Sequence, residues 1–299
     1  MSSEIAYLLQ EYQRAWAQAL VVHGDDHSDD ELSLASKDSF ADSLKQSSSF
    51  SKAFRLHQYD GLKVYQGLLR GGVMGCFEGL FPKVYAALPE KQRWVIMEAF
   101  RKECPNTSPQ FAPMFSAFSA FLSHRADVPE ALVAMARFEW AQVEARHAPA
   151  IATSDDAQGS LVRESPEALR DELMGLQCVI NPTMSVLEEK WPLHQCDGEG
   201  FLANEMSWPL IDTCLIVFRH PLTHKVKTFS VTPLVSVLIR ALMAAEEANI
   251  PIQTVLNDLY QGECMDYFQG VGLEALYQQI PSLIVQWVSQ GVVTDLKKF

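Results

Sequence analysis

Cysteine is sparse and never closely paired. Cys76, Cys104, Cys178, Cys196, Cys214 and Cys264 are scattered over 299 residues without a C-x-x-C. A zinc site needs closer spacing, so thiols that are reduced and partly buried are the expectation. No apolar run reaches the roughly 18 residues that span a bilayer. The opening MSSEIAYLLQEYQRAWAQAL lacks a basic start and a cleavage pattern. A cytoplasmic location and no membrane partner are therefore expected. Positive charge is also short: 24 Lys and Arg face 37 Asp and Glu, a net charge of −13, with no basic arm for phosphates. G-x-S-x-G, P-loop and strand-borne G-x-G-x-x-G motifs are missing. GLLRGGVMG is glycine-rich, but it lies inside a helical pattern and reads as packing.

What is present is apolar material, 48% of the chain, enough for two cores. Residues 4–22 carry Leu8, Tyr12, Trp16 and Leu20 on one helical face. Residues 23–52 are acidic, serine-rich and read as a mobile insertion. Phe54 to His147 is helical in pattern, broken at Pro82, with Phe111, Phe115, Phe118 and Phe121 as a core stripe. The glycines between 67 and 79 read as sites where another helix approaches closely. Residues 151–172 are polar and turn-rich, a linker. Beyond them lie strand-like LQCVINPTMSVLEE and GFLANEMSW, a hairpin around HPLTH, and three helices, the last ending at Gly291. The fold class expected is α+β. A helical domain over 1–150 precedes a smaller winged-helix-like domain over 173–299, built from strands and a hairpin and then three helices.

Glu144 and His147 form Glu-x-x-His near the end of a helix, the unit that di-iron bundles use twice. Here no other histidine has Glu three residues before it, so the pattern is half a site. The bland reading is that Arg137, Glu139 and Glu144 make polar contacts while Phe138 and Trp140 pack. His220 and His224 flank the hairpin turn at i, i+4, where solvated histidines are commoner than chelating ones.

RLHQYDGLKVYQGLLRGGVMGCFEGLFPKVYAAL, then LVAMARFEWAQVEARHAP, then INPTMSVLEEKWPL occur in that order. With Arg55, Leu56, Tyr65, Phe81-Pro82, Ala136 to Trp140, His147, Pro182 and Trp191-Pro192, the chain resembles the HvfC/BufC-type family, first labelled a DNA-binding domain. The resemblance spans residues 5–22 and 54–299 and leaves out the acidic insertion. It implies a non-catalytic accessory subunit, paired as a heterodimer with a TIM-barrel multinuclear iron oxidase. Such pairs modify cysteine in ribosomally made precursor peptides, as in methanobactin, bufferin and 3-thiaglutamate biosynthesis. Iron and chemistry then belong to the partner, and this chain holds no cofactor, metal ligand or catalytic residue. The helical domain docks on the barrel, and Tyr65, Arg137, Glu139, Glu144 and His147 are the docking candidates. The C-terminal domain captures the precursor's leader.

A winged helix also suits DNA, and the alternative is a transcriptional regulator. Charge weighs against nucleic acid. Residues 170–299 hold 8 Lys and Arg against 15 Asp and Glu, 8 − 15 = −7, and phosphate contacts supply most non-specific affinity. The last helix has no Lys or Arg. An extended leader can instead add a strand to an exposed sheet edge. The second hairpin arm is the candidate: Lys225, Val226, Lys227, Thr228, Phe229 and Val231, with Leu283 and Trp287 as an adjoining apolar groove. The lysines would deter stray edge pairing and attract an acidic leader. A stand-alone metalloenzyme ranks third.

Overall fold

Proline at 82 divides the N-terminal helical run. The computed structural model describes residues 57–104, 112–149, 172–195, 211–262 and 272–298. Helix α1 (His57–Leu80) stops before Phe81, and α2 (Pro82–Ala87) restarts with Pro82 in its first turn, where a missing N–H costs nothing. Then come α3 (Glu90–Glu103), a 3-10 turn (Ala112–Ala117) running into α4 (Phe118–Ser123), and α5 (Glu130–His147) after Pro129. Strands β1 (Gln177–Ile180), β2 (Ser185–Glu189), β3 (Thr213–Arg219) and β4 (Val226–Val231) precede helices α6 (Pro233–Ala248), α7 (Ile252–Gln261) and α8 (Leu273–Gln290). A fifth strand, β5 (Val293–Lys297), follows α8 and was not apparent from the sequence pattern. The chain is thus mixed helix and sheet. The helix expected at 4–22, the insertion at 23–52, the strand-like stretch 200–208 and all but the last residue of the 151–172 linker lie outside the described residues.

The described residues divide into two compact units. One takes α1 as far as Gly79 together with Pro89–Phe118. Its core is aromatic. Phe118 meets Phe77 at 5.2 Å, Phe100 at 5.0 Å and Phe115 at 5.9 Å between ring centroids, all edge-on, the arrangement that ring quadrupoles favour. The expected phenylalanine stripe is therefore core at 115 and 118. Phe121 is buried in the other unit, and Phe111 lies outside the described residues. Among the described residues, a Cβ added at Gly71, Gly75 or Gly79 would meet nothing within 4 Å, so no described helix approaches closely at these three.

The other unit takes Leu80–Leu88 and everything described from Ser119 onward. Its central helix is α5, in which Ala131 to Ala136, Phe138, Glu139 and Ala141 are buried. A helix apolar around nearly its whole circumference has to be covered on several sides. The antiparallel sheet β2-β3-β4 covers one of them. Strand β3, TCLIVFR, is buried on both faces. Ile216 and Phe218 face a core shared with Leu238, Ile239, Ile284 and Trp287. Period-two alternation turns Leu215 and Val217 to the opposite side, toward α5. The linker read from composition separates α5 from these strands along the chain, yet the apolar faces of α5 bring them into one unit.

A buried carboxamide joins the strand layer to the end of α8. Asn181 Nδ2 donates to the carbonyls of Arg219 (2.9 Å) and Gly291 (2.8 Å), and its Oδ1 accepts from Thr183 N (3.0 Å) and Oγ1 (2.7 Å). Its backbone N–H donates to Val292 O at 2.8 Å. Gly291 holds the C-cap of α8 at φ 78°, where an added Cβ would stand 2.6 Å from Pro221 Cδ. Asn181→Ala should cost roughly 2–4 kcal/mol, because several buried groups lose their partner at once. Urea unfolding tests this: the midpoint should fall at unchanged slope. A loss below about 0.5 kcal/mol, within the range of ordinary surface substitutions, would mean that these groups find other partners.

Candidate functional site

The five docking candidates divide by burial. Tyr65 lies on α1, and its side chain is outside the described set. Arg137 reaches from α5 to β2 and donates from Nε and Nη2 to the two oxygens of Glu189, both at 2.8 Å. The planar fork of a guanidinium fits a carboxylate in this bidentate way. Glu189 is 4% exposed at its side chain while Arg137 is 43% exposed, so the pair closes the rim of the α5–sheet contact. Arg137 is thereby committed within the fold.

Glu139 is also committed. It is 4% exposed and accepts from Lys83 N at 2.8 Å and Val84 N at 3.2 Å. These two N–H groups belong to the first turn of α2, which has no side-chain cap of its own. The Arg-Phe-Glu-Trp run is now explained residue by residue. Glu139 caps α2, Trp140 stacks on Phe81 at 6.1 Å, and Phe138 lies under the Lys83 ammonium at 5.8 Å. Burial pushes the Glu139 carboxyl up to about 7, against the two backbone hydrogen bonds and Lys83, which pull it down. Glu144 and His147 are exposed on the last turns of α5. Among the described residues, no group of three or more His, Cys, Asp or Glu could hold a metal ion.

The hairpin candidates occupy one edge of the three-stranded sheet. The β3–β4 register pairs Phe218 with Lys227, Val217 with Thr228 and Ile216 with Phe229. His220 N donates to Lys225 O across the turn. In an antiparallel ladder, bonded and non-bonded pairs alternate. Lys227, Phe229 and Val231 therefore direct their backbone groups to β3. Val226, Thr228 and Ser230 direct theirs outward, and among the described residues no strand pairs with that edge. The same alternation aims Val186 and Glu188 of β2 away from β3 at the opposite edge. There side chains of α6 reach it: Arg240 donates to Val186 O at 3.4 Å, and Ser236 Oγ donates to the Glu188 side-chain carboxylate at 2.9 Å.

Side chains follow the pleat. Lys225, Lys227, Phe229 and Val231 share one face: Phe229 and Val231 rest on the core, while Lys225 and Lys227, nearer the turn, are exposed. The groove expected beside them is corrected in one respect. Trp287 is 4% exposed and is part of the core, because the apolar face of α8 packs inward, and only Leu283 lies at the core's margin. Sequence reading missed Glu189, Asn181 and the hydrogen-bonding role of His220. Each acts on residues distant in the chain or in a turn, and no local periodicity signals that.

Among the described residues, no thiol is an exposed nucleophile beside this edge. Cys214 and Cys178 are buried and free, and burial pushes Cys178 up to about 12. Among the described residues, no helix is long and apolar enough to cross a membrane.

Glu139 makes stability depend on pH. Its carboxyl is raised in the folded chain, so its contribution is complete below the unfolded value near 4.5 and is lost as pH rises through about 7. At about 1.4 kcal/mol per pKa unit, the loss over that window is on the order of 3 kcal/mol. Glu139→Gln removes the titration, so the variant's stability should be flatter between pH 5 and pH 8 in matched urea melts. Parallel curves for the two proteins would contradict this assignment. Compared with family models and with curated proteins, the chain matches none.

Proposed function

We propose that this chain is a non-catalytic subunit that binds the leader of a ribosomally made precursor peptide and presents its cysteine to an iron-dependent TIM-barrel oxidase. The single observation behind the peptide reading is the asymmetry of the sheet. On the β2 edge Arg240 occupies the outward Val186 carbonyl, while Val226, Thr228 and Ser230 offer outward N–H and C=O groups along β4. An extended peptide satisfies such a row by becoming the next strand, with its alternate side chains lying over the two faces. Lys225 and Lys227 stand exposed along this arm and favour an acidic leader. The winged-helix-like reading of the C-terminal part accords with three helices following the hairpin. The oxidase partner and its iron are carried by the resemblance of the motif order alone. Within this reading Glu144 and His147 keep their place as docking candidates, since both are exposed. Arg137 and Glu139 act on docking only through the shape of α5.

Thr228→Pro is the direct test. It deletes an N–H that points away from β3, so the sheet keeps its internal ladder. Affinity for a synthetic leader, taken from the precursor encoded beside this chain, should fall at least about fivefold, the value of one hydrogen bond. The melting temperature is measured alongside, because proline also restrains φ. Replacing Lys225 and Lys227 together by Glu should slow association more than it speeds dissociation. The reading fails if a crosslinkable leader labels α1 to α3 while folded β4 variants bind normally. It also fails if the chain binds duplex DNA sequence-selectively below micromolar Kd at about 150 mM salt, where the Debye length is only about 8 Å.

A further inference from the structure

The tip of the β3–β4 hairpin is held by an imidazole. His220 Nδ1 lies 3.2 Å from Leu222 N and 3.3 Å from Thr223 N, and accepts from both. Only an unprotonated Nδ1 can do this, so the ring carries its proton on Nε2. The backbone of the same residue closes the loop: His220 N donates to Lys225 O, and His224 N donates to His220 O, both at 2.9 Å. His224 completes the turn in the left-handed region at φ 54°. Between them, Pro221 is buried beside Gly291, where an added Cβ would also come within 3.4 Å of the His220 ring. The tip is therefore docked on the C-cap of α8, and the imidazole fixes the two residues after the docked proline.

We propose that this tip is a protonation-controlled catch, closed while His220 is neutral and released when Nδ1 takes up a proton. A protonated ring has no lone pair for Leu222 and Thr223, and it turns two accepted hydrogen bonds into a donor facing donors. The surroundings set the sense of the response. Burial lowers the proton affinity of His220, and the Lys227 ammonium on β4 lowers it further. Of the other charged groups nearby, Lys225 and His224 are exposed. Arg219 turns its guanidinium to the carbonyls of Arg146 and Pro149. The end of α8 contributes Gly291, which has no charge. Among these neighbours no carboxylate favours the imidazolium. The catch is thus closed at neutral pH and opens as pH falls below the ordinary histidine value of about 6.5. The pair His220–Lys225 is the first rung of the β3–β4 ladder, so release frays β4 at the end where Val226 begins its outward row. The catch belongs to the free chain, and its test needs no ligand and does not depend on the peptide reading.

Amide exchange followed by NMR, corrected for intrinsic rates, tests it at pH 8 and pH 5 on the full chain. Wild-type Leu222 and Thr223 amides should be protected at pH 8 and lose at least about fivefold of that protection at pH 5, in step with the ring titration and with a midpoint below about 6.5. The ring nitrogen shifts at pH 8 should report the Nε2–H tautomer. His220→Asn supplies an oxygen acceptor that does not titrate, so tip protection should persist at both pH values. His220→Ala should lose it at both, while the Leu215 to Phe218 amides stay protected as a check on folding. Equal wild-type protection at pH 5 and pH 8, or an Nδ1–H ring at pH 8, overturns the proposal. If His220→Ala fails to fold, wild type and His220→Asn decide the matter between them.

Discussion

One carboxamide holds the C-terminal architecture in register. Asn181 is 1% exposed, and it satisfies carbonyls from the end of β3 and from the C-cap of α8 while its own oxygen is satisfied from Thr183. No apolar residue of that size could replace it without leaving the Arg219 and Gly291 carbonyls buried and unpaired. The consequences spread outward. The fixed end of β3 sets where the hairpin turns, and the fixed end of α8 sets where Pro221 can dock. Both together determine where β4 begins. The open row on β4 is thus located by hydrogen bonds made some distance from it.

The two edges of the sheet are treated differently. Arg240 from α6 occupies one outward carbonyl of the β2 side, that of Val186. The β4 side carries Lys225 and Lys227 instead, charges that discourage like strands and still leave the backbone accessible. In a chain of net charge −13, Lys225 and Lys227 make this strand a local patch of positive charge.

Much of this was legible in the residues, and what was missed has a physical cause. Pro82, Pro129 and Gly291 mark helix ends because their backbone chemistry acts locally. The hairpin was legible because β-branched arms flank a turn. Strand β5 was not, since VTDLK carries no alternation of its own and becomes a strand only by pairing with β1. At Gly71, Gly75 and Gly79 of α1 no described neighbour comes close, since spacing on a helix does not specify one. Glu139 looked like a surface group, since charge is the usual sign of exposure. Its burial follows from the uncapped first turn of α2, 55 residues earlier, which needs an acceptor. Trp287 looked like a groove wall because apolar faces of helices read alike whether they meet a ligand or a core.

The pairing of β1 with β5 bears on how fast the chain can reach this state. Thr294 Oγ1 donates to Val179 O across 115 positions of sequence, and the strands on either side are antiparallel along that contact. Closing so long a loop is entropically unfavourable before any contact rewards it. Helices α6 to α8 can form from neighbours, whereas β1 has no strand partner until α8 has turned at Gly291. The two-stranded ribbon is therefore a late event on the folding route, formed on a helical cluster already in place. Its strength is expressed in how slowly the native chain opens rather than in how quickly it forms.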